Sequence, residues 1–466
     1  VAPRAVVLID PGHPYAGRLA AAAQAQVDAL VVCLWTGACA HDRARVPLPD
    51  GVVAVHLDVD SLAAGDVASY LRPRYDVVGV MPHLEPLVVP AAELADALGA
   101  PWCDLHDVRR FRDKHALKQW LRSVPDGPRV NASARVRGLA EVRAAAATGS
   151  YPRFVLKPND GMNNNRIGFF DERSSDAEIA AHLADCGGDA VMEEYIGGDE
   201  YCVNGQVLRD GTVLVLAVYR THHTPANGRD NLAARFETVP STSEVFGSTA
   251  AYAEHVLTAA RLRGSPFHME LKVDDRGPCL IECGARLGGV GMGDDVATLH
   301  HQAVDAFELA VEGYTGLDVR QQQPDWDAYD AQLLRIVCAV STTTERIASV
   351  QGLAAVEAMP EFVRWVSRPR PGVLVHPTVD LATSPWKAAF AAPTTEQLDR
   401  AEERARALVR WNGTGLDGLA AGRAVHGVAV RVADRLRARQ QARATHPSVV
   451  VAEHVVDLTE SREPAS

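Results

Sequence analysis

The sequence has no uncharged apolar run longer than about 18 residues, so it offers no candidate membrane span. It also lacks a basic surplus. With 47 Lys and Arg against 59 Asp and Glu, the formal net charge is −12, and the electrostatic footprint of a nucleic-acid binder is missing. An anionic ligand must then be held by a local cluster of Lys and Arg inside a cleft. The opening residues VAPRAVVLID enter an apolar run directly, without the basic flank and cleavage region of a signal peptide. Eight cysteines (Cys33, Cys39, Cys103, Cys186, Cys202, Cys279, Cys283, Cys338) are scattered and form no CxxC pair. Such usage suits a reducing cytoplasm, where cysteine behaves as a small apolar residue. No internal repeat is visible.

What is present is an ordinary globular composition, 47% hydrophobic and 23% charged over 466 residues, enough for about three domains. Residues 1–105 alternate short apolar runs (6–9, 29–34, 52–57, 77–81) with Ala/Leu-rich segments of helical spacing (18–27, 62–71, 86–98). This alternation predicts a parallel sheet covered by helices, a small doubly wound domain. A charged helix is expected over 108–121, followed by a helix at 140–147 and strands at 154–157, 167–170 and 191–195. Residues 201–285 read as strand-rich, interrupted by a helix at 248–262, and a long charged helix is expected at 396–410.

Four stretches carry candidate chemistry. In PFHMELKVDDRGPCLIECGARLGG (266–289), two alternating strands flank a turn at Asp275-Arg276-Gly277. A turn centred on Arg276 sets Glu270 opposite Glu282 and His268 opposite Gly284, all on one face. Opposed carboxylates repel unless a cation lies between them, and hard oxygen ligands suit Mg²⁺. Solvated glutamates on an open hairpin face are the plainer alternative. Arg286 follows and could grip a carboxylate or phosphate in bidentate fashion, while Gly288-Gly289 lets backbone approach a ligand. In FVLKPNDGMNNNRIGFF (154–170), a strand ends in Lys157 before a Gly/Asn loop whose N–H groups can curl around phosphate oxygens. An ordinary turn would look similar. VMEEYIGGDEY (191–201) offers Glu193 and the Tyr195–Ile196 backbone to an adenine edge and Glu200 to ribose hydroxyls, or simply solvated acids. In FRDKHALKQWL (111–121), Lys114 and Lys118 share one helix face. The polar stretch YRTHHTPANGRDNLAARF could line an acceptor pocket through His222, His223, Asn227, Arg229 and Arg235, but reads more simply as a mobile loop.

In their order and spacing these stretches resemble the ATP-grasp superfamily, and within it the L-amino-acid ligase and carnosine-synthase-like branch. The likeness rests on VVGVMPHLEPLVVPAAELADALGAP, RDKHALK, VLKPNDG, MEEYIGGDEY, HMELKV and IECGARLGG, over roughly residues 70–315. It implies an α/β (in part α+β) ATP-grasp fold. The expected divisions are an N-terminal α/β domain (1–105), a linker helix and lid subdomain (106–196), an antiparallel-sheet catalytic domain (197–330), a C-terminal α/β subdomain (331–450) and a tail (451–466).

The resemblance further implies ATP and Mg²⁺ as cofactors, with Mn²⁺ as a substitute metal. Lys114, Lys157, Gly161, Asn163 and Asn164 would contact phosphates, and Glu193, Glu194, Tyr195 and Ile196 adenine. Glu200 would hold the ribose, and Glu270 and Glu282 the metal. Arg286 and Lys157 would act on the reacting groups, with His268, Gly288, Gly289 and Asp294 near substrate. The implied activity joins a carboxylate, an amino acid, to an amine through an acyl phosphate, releasing ADP and phosphate. Its partners are small molecules, with neither nucleic acid nor membrane, and such ligases are often homodimers. A non-amino-acid substrate, or nucleotide binding with weak catalysis, remains open. Two positions depart from the family pattern. Gly284 stands where Asn is usual, leaving a space that water, a phosphate oxygen or the opposed His268 could fill, with His268 reading more simply as a packed or hydrogen-bonding residue, and Met162–Asn165 replaces smaller loop residues.

Overall fold

The computed structural model describes residues 2–416 apart from 13, 36–47, 58–62, 150, 160, 162–165, 293–298, 302–303, 318–322 and 414. The first apolar runs become four parallel strands, β1 (Arg4–Ile9), β2 (Leu30–Trp35), β3 (Val53–His56) and β4 (Asp76–Met81), in the order β3-β2-β1-β4. Unbroken apolar runs suit strands covered on both sides. Val6 and Leu8 pack with Ala16, Leu19 and Ala20 of α1 (Pro14–Gln26). Ala5, Val7 and Ile9 turn the other way, toward Val67 and Leu71 of α2 (Ala64–Leu71) and Leu94 of α3 (Val88–Leu98). The domain is doubly wound, as its alternation implies.

The charged helix expected over 108–121 is two helices. Asp113 leaves helical geometry (φ −110°, ψ 101°), and its side chain accepts from the Ala116 N–H. A carboxylate at an N-cap satisfies one of the orphan donors of a new helix. So α4 (Leu105–Arg112) stops and α5 (Lys114–Ser123) starts at Lys114.

A four-stranded antiparallel sheet follows, built from β5 (Ser133–Val136), β6 (Arg153–Pro158), β7 (Gly168–Asp171) and β8 (Ala190–Glu194) in the order β5-β8-β6-β7. Helices α6 (Leu139–Ala146) and α7 (Asp176–Asp185) close its small core through Val142, Ile179 and Leu183 against Phe154, Leu156 and Met192.

The largest sheet has eight antiparallel strands. β9 (Asp199–Val207), β10 (Val213–Ala226), β11 (Arg229–Thr238), β12 (Ser265–Asp274), β13 (Gly277–Gly284) and β14 (Leu333–Cys338) are joined by β15 (Phe362–Ser367) and β16 (Lys387–Ala392). Their order is β13-β12-β9-β10-β11-β14-β16-β15, so strands from both sides of residue 330 share one sheet. Helices α8 (Glu244–Ala260) and α9 (Ala306–Thr315) cover it through Val256, Leu257, Leu309 and Ala310. The stretch expected as a polar loop at 219–236 is instead the β10–β11 hairpin. Ala226 pairs with Arg229 around Asn227-Gly228, whose φ angles are 51° and 74°. Asn-Gly is the pair that best tolerates this left-handed turn. Helix α10 (Thr395–Leu408) packs on the far end, and the expected tail, with the subdomain beyond 416, lies outside the described residues. Among the described residues no helix is long and apolar enough to cross a membrane.

Candidate active site

The hairpin β12–β13 brings its two acids together, by a route the sequence does not suggest. Asp274 pairs with Gly277, so the turn is the two residues Asp275-Arg276 and is not centred on Arg276. Pairs next to the tip follow from that, Lys272 with Cys279 and Leu271 with Leu280. The register then shifts by one beyond Leu271, leaving Ile281 without a partner, and Glu270 meets Glu282 and His268 meets Gly284. A bulge of this kind re-aims side chains locally. Both Ile281 and Glu282 line the same cleft. On the other side, β9 pairs Glu200 with Lys272, Cys202 with Glu270 and Asn204 with His268. Paired residues point to one face, so these side chains form a single polar floor.

The lid sheet and α5 face that floor. Lys157 Nζ lies 2.9 Å from Glu193 Oε2, and Lys118 Nζ lies 2.7 Å from Glu193 Oε1, with all three side chains buried. Burial works against the Glu193 carboxylate, but the two lysines outweigh it and hold its pKa at about 2. For Lys118 burial wins, lowering it to about 8 despite Glu193. For Lys157 burial is overcome by Glu193, Glu282 and Glu270, which raise it and keep it cationic. Lys114 Nζ donates to the Gly161 carbonyl (2.6 Å) and lies 3.1 Å from Glu282 Oε1, tying α5 to the loop after Lys157 and to the acid pair. Asn163 and Asn164 of that loop lie outside the described residues.

Between lid and floor is a cleft of about 260 Å³. Lys114, Lys157, Gly161, Glu193, Glu194, Tyr195, Ile196, Glu200, Glu270 and Glu282, all singled out in the sequence, line it together. Glu194 accepts from the Ala132 N–H and from Arg276 Nη2 at 3.1 Å, and the Tyr195 ring lies beneath the Arg153 guanidinium, 4.0 Å from its centroid. The Tyr195 N–H already donates to the Arg153 carbonyl (3.0 Å). Burial, then the charge of Glu270, pushes the Glu200 carboxyl up. His223 Nε2 lies 3.5 Å from Glu200 Oε1 and lines the cleft. Asp230 and Asn231 of the polar stretch line the cleft with it, whereas two other candidates do other work. Asn227 donates to the Ser341 and Thr378 carbonyls, and Arg235 pairs with Glu402.

Arg286 stands beside the cleft. Its guanidinium is bonded to Glu85, a 3% exposed carboxylate from the N-terminal domain that also pairs with Arg112 at 3.1 Å. Burial opposes the charged form of Glu85, but the two arginines overcome it and lower its pKa. This carboxylate fills the space beside Gly284. A Cβ at residue 284 would stand 2.6 Å from Glu85 Oε2. Glu85, not His268, occupies that space, and His268 is the hydrogen-bonding residue of the plainer reading, its Nδ1 bonded to Asn204 Oδ1 at 2.6 Å and its Nε2 facing Glu270. A Cβ at Gly288 would meet Asn204 at 2.9 Å, whereas nothing lies within 4 Å of one at Gly289. Asp294 lies outside the described residues. Sequence reasoning missed Glu85 and Asn131. The latter donates to the Glu194 carbonyl at 2.9 Å, and a lone Asn before a strand gives no signal of that.

A family model for the ATP-grasp domain matches residues 170–294, which hold β8, β9, the β10–β11 hairpin and the paired acids. No curated protein matches the chain. Among solved structures, the L-amino acid ligase from Bacillus licheniformis is 18% identical with a TM-score of 0.71, covering 88% of this chain and 99% of that one. The biotin carboxylase domain of the Hydrogenobacter thermophilus 2-oxoglutarate carboxylase, solved with MgADP, is 13% identical at 0.64, covering 88% and 91%. N5-carboxyaminoimidazole ribonucleotide synthetase from Thermotoga maritima is 12% identical at 0.63, covering 88% and 99%. At these identities the likeness is one of fold. The chain carries an ATP-grasp domain and has the fold of the ATP-grasp ligases.

Proposed function

We propose that this protein is an ATP- and Mg²⁺-dependent ligase that activates a carboxylate, that of an amino acid, as an acyl phosphate. An amine then displaces the phosphate to give an amide, with ADP and phosphate released. The observation that carries the reading is the pairing of Glu270 with Glu282 in a cleft that also holds Lys114 and Lys157.

The residues suit the metal. Glu270 and Glu282 offer hard carboxylate oxygens of the kind Mg²⁺ prefers, and the Lys114 ammonium already sits against Glu282 where a cation would. Bound there, Mg²⁺ would offset charge on the transferring phosphoryl group. Lys157 and Lys114 hold phosphate oxygens, with the backbone around Gly161 and the loop through Asn163 and Asn164. Glu194 and the Tyr195–Ile196 segment take the adenine edge and Glu200 the ribose. Glu193 serves the nucleotide through Lys157, since a lysine occupies each of its oxygens. Arg286 steadies the reacting carboxylate, its charge aimed by Glu85. His268, Gly288, Gly289 and Asp294 border the substrate. Closing the lid excludes water that would hydrolyse the acyl phosphate.

Incubation with ATP, Mg²⁺ and pools of amino acids is expected to give ADP, orthophosphate and a condensed product. AMP with pyrophosphate would overturn the route, and ATP binding without turnover would overturn the activity. Glu282→Ala is expected to abolish amine-dependent ADP release, and undiminished release would falsify its metal role.

A further inference from the structure

The floor of the cleft holds a second set of donors of a different chemical character. Cys202 Sγ, a ring nitrogen of His268 and a carboxylate oxygen of Glu270 all lie within 4.8 Å of one another. The strand pairing puts them there, with Cys202 beside Glu270 and Asn204 beside His268. His268 is also oriented. Its Nδ1 stands 2.6 Å from Asn204 Oδ1, which can only accept, so Nδ1 carries the hydrogen and Nε2 is turned toward Glu270 Oε1 at 3.4 Å. Nε2 is thus the nitrogen left to meet a cation seated beside Glu270. An imidazole fixed through its far nitrogen is the usual state of a metal-binding histidine. Cys202 is 1% exposed, and its sulfur lies 3.6 Å from the Thr221 hydroxyl. The Glu270 side chain, 30% exposed at the cleft, gives an ion a way in.

We propose that Cys202, His268 and Glu270 form a site for a thiophilic divalent cation of the zinc class, sharing Glu270 with the magnesium clamp. Thiolate, imidazole and carboxylate are the donors that favour Zn²⁺ over Mg²⁺. Loading sends the Cys202 thiol proton to solvent and commits the thiolate to the ion. It also takes Glu270 away from magnesium, so the zinc-class ion turns the ligase off. Only this last consequence rests on the proposed activity.

Cobalt(II), which reports thiolate ligation by a sulfur-to-metal charge-transfer band, tests the site on the full chain without ATP. Wild-type protein is expected to show the band at one cobalt per chain and to lose cobalt to zinc. Cys202→Ser is expected to lack the band, and His268→Gln to bind cobalt about 10–100-fold more weakly, both with unchanged circular dichroism. Absence of the band in wild type, or its persistence in Cys202→Ser, overturns the site. If Cys202→Ser misfolds, His268→Gln decides: unchanged cobalt affinity there overturns it. In the ligase assay, zinc should raise the magnesium needed for half-maximal rate in wild type and not in Cys202→Ser. An equal effect in both overturns the inhibitory role while leaving the ligase reading intact.

Discussion

At the scale of single residues, the most exacting arrangement is Glu193 between two buried lysines. Neither Lys118 nor Lys157 is in water; Lys118 has that carboxylate for its counter-charge, and Lys157 has it together with Glu282 and Glu270. Glu193→Gln is expected to cost about 3–5 kcal/mol in denaturant unfolding, because it strands buried charge. The pH dependence has a definite sign. The folded carboxyl titrates near 2 against an ordinary 4.5, so its contribution is complete above pH 4.5 and is lost as pH falls through about 2. The stability gap between wild type and Glu193→Gln should therefore shrink as pH falls from about 4.5 through about 2. A gap unchanged across that acid window would contradict the pairing. Glu193 itself could be read from the sequence as a site residue, but the burial of Lys118 beneath it could not. Two lysines on one helix face look like a solvated stripe until the lid sheet is known to cover them.

Among secondary-structure elements, what was legible followed from short-range pattern. Alternation in 266–284 gave the strands and apolar runs gave β1 to β4, whereas the acids, expected to meet through a turn centred on Arg276, meet through the register shift at Ile281. Two elements escaped for local reasons. Asp113 reads as one more charged residue in a helix, yet its side chain caps α5 and breaks the helix there. The β10–β11 hairpin carries polar residues on both strands, so its alternation is faint even though Asn227-Gly228 marks the turn. Glu85 escaped because its contact is remote in sequence. It comes from the short turn before α3 and lies against a hairpin some two hundred residues later. That contact explains why glycine stands at 284, and it can be tested as a coupling between the two elements. Gly284→Ala is expected to destabilise by about 1–3 kcal/mol through overpacking against a carboxylate held by two arginines. In a Glu85→Ala background the obstacle is gone, so the double variant should be more stable than the sum of the singles implies, by about 0.5–3 kcal/mol. Strict additivity in the cycle would show that the two side chains do not compete for this space.

For the whole molecule, the eight-stranded sheet is the member that every other part leans on. Its β14 is supplied by the C-terminal region, and there Arg335, fully buried, pairs with Glu237 of β11 and with Asp399 (2.7 Å) and Glu402 (3.0 Å) of α10. Arg406 closes the group by donating to Glu402 and to the Cys338 carbonyl. Removing the central cation leaves Glu237 and Glu402, both largely buried, without their shared counter-charge, so Arg335→Ala should lower unfolding stability by about 3–5 kcal/mol, measured as a shift in denaturant midpoint. No change would mean that water already reaches the group. The helix at 396–410 was legible in the sequence, but these contacts were not, because long-range ion pairs leave no periodic trace.

The unpaired Ile281 carries one consequence further. A ladder closed by a two-residue turn can pair only positions an odd number of residues apart, and Glu270 and Glu282 are separated by an even number. Parity alone would set Glu270 against Ile281 and turn Glu282 to the opposite side of the sheet. The acids share a cleft because the strand drops one residue from the count. Possession of both glutamates is thus not sufficient for the clamp: a chain that kept them but lost or gained a residue elsewhere between them would have the same motif and no site.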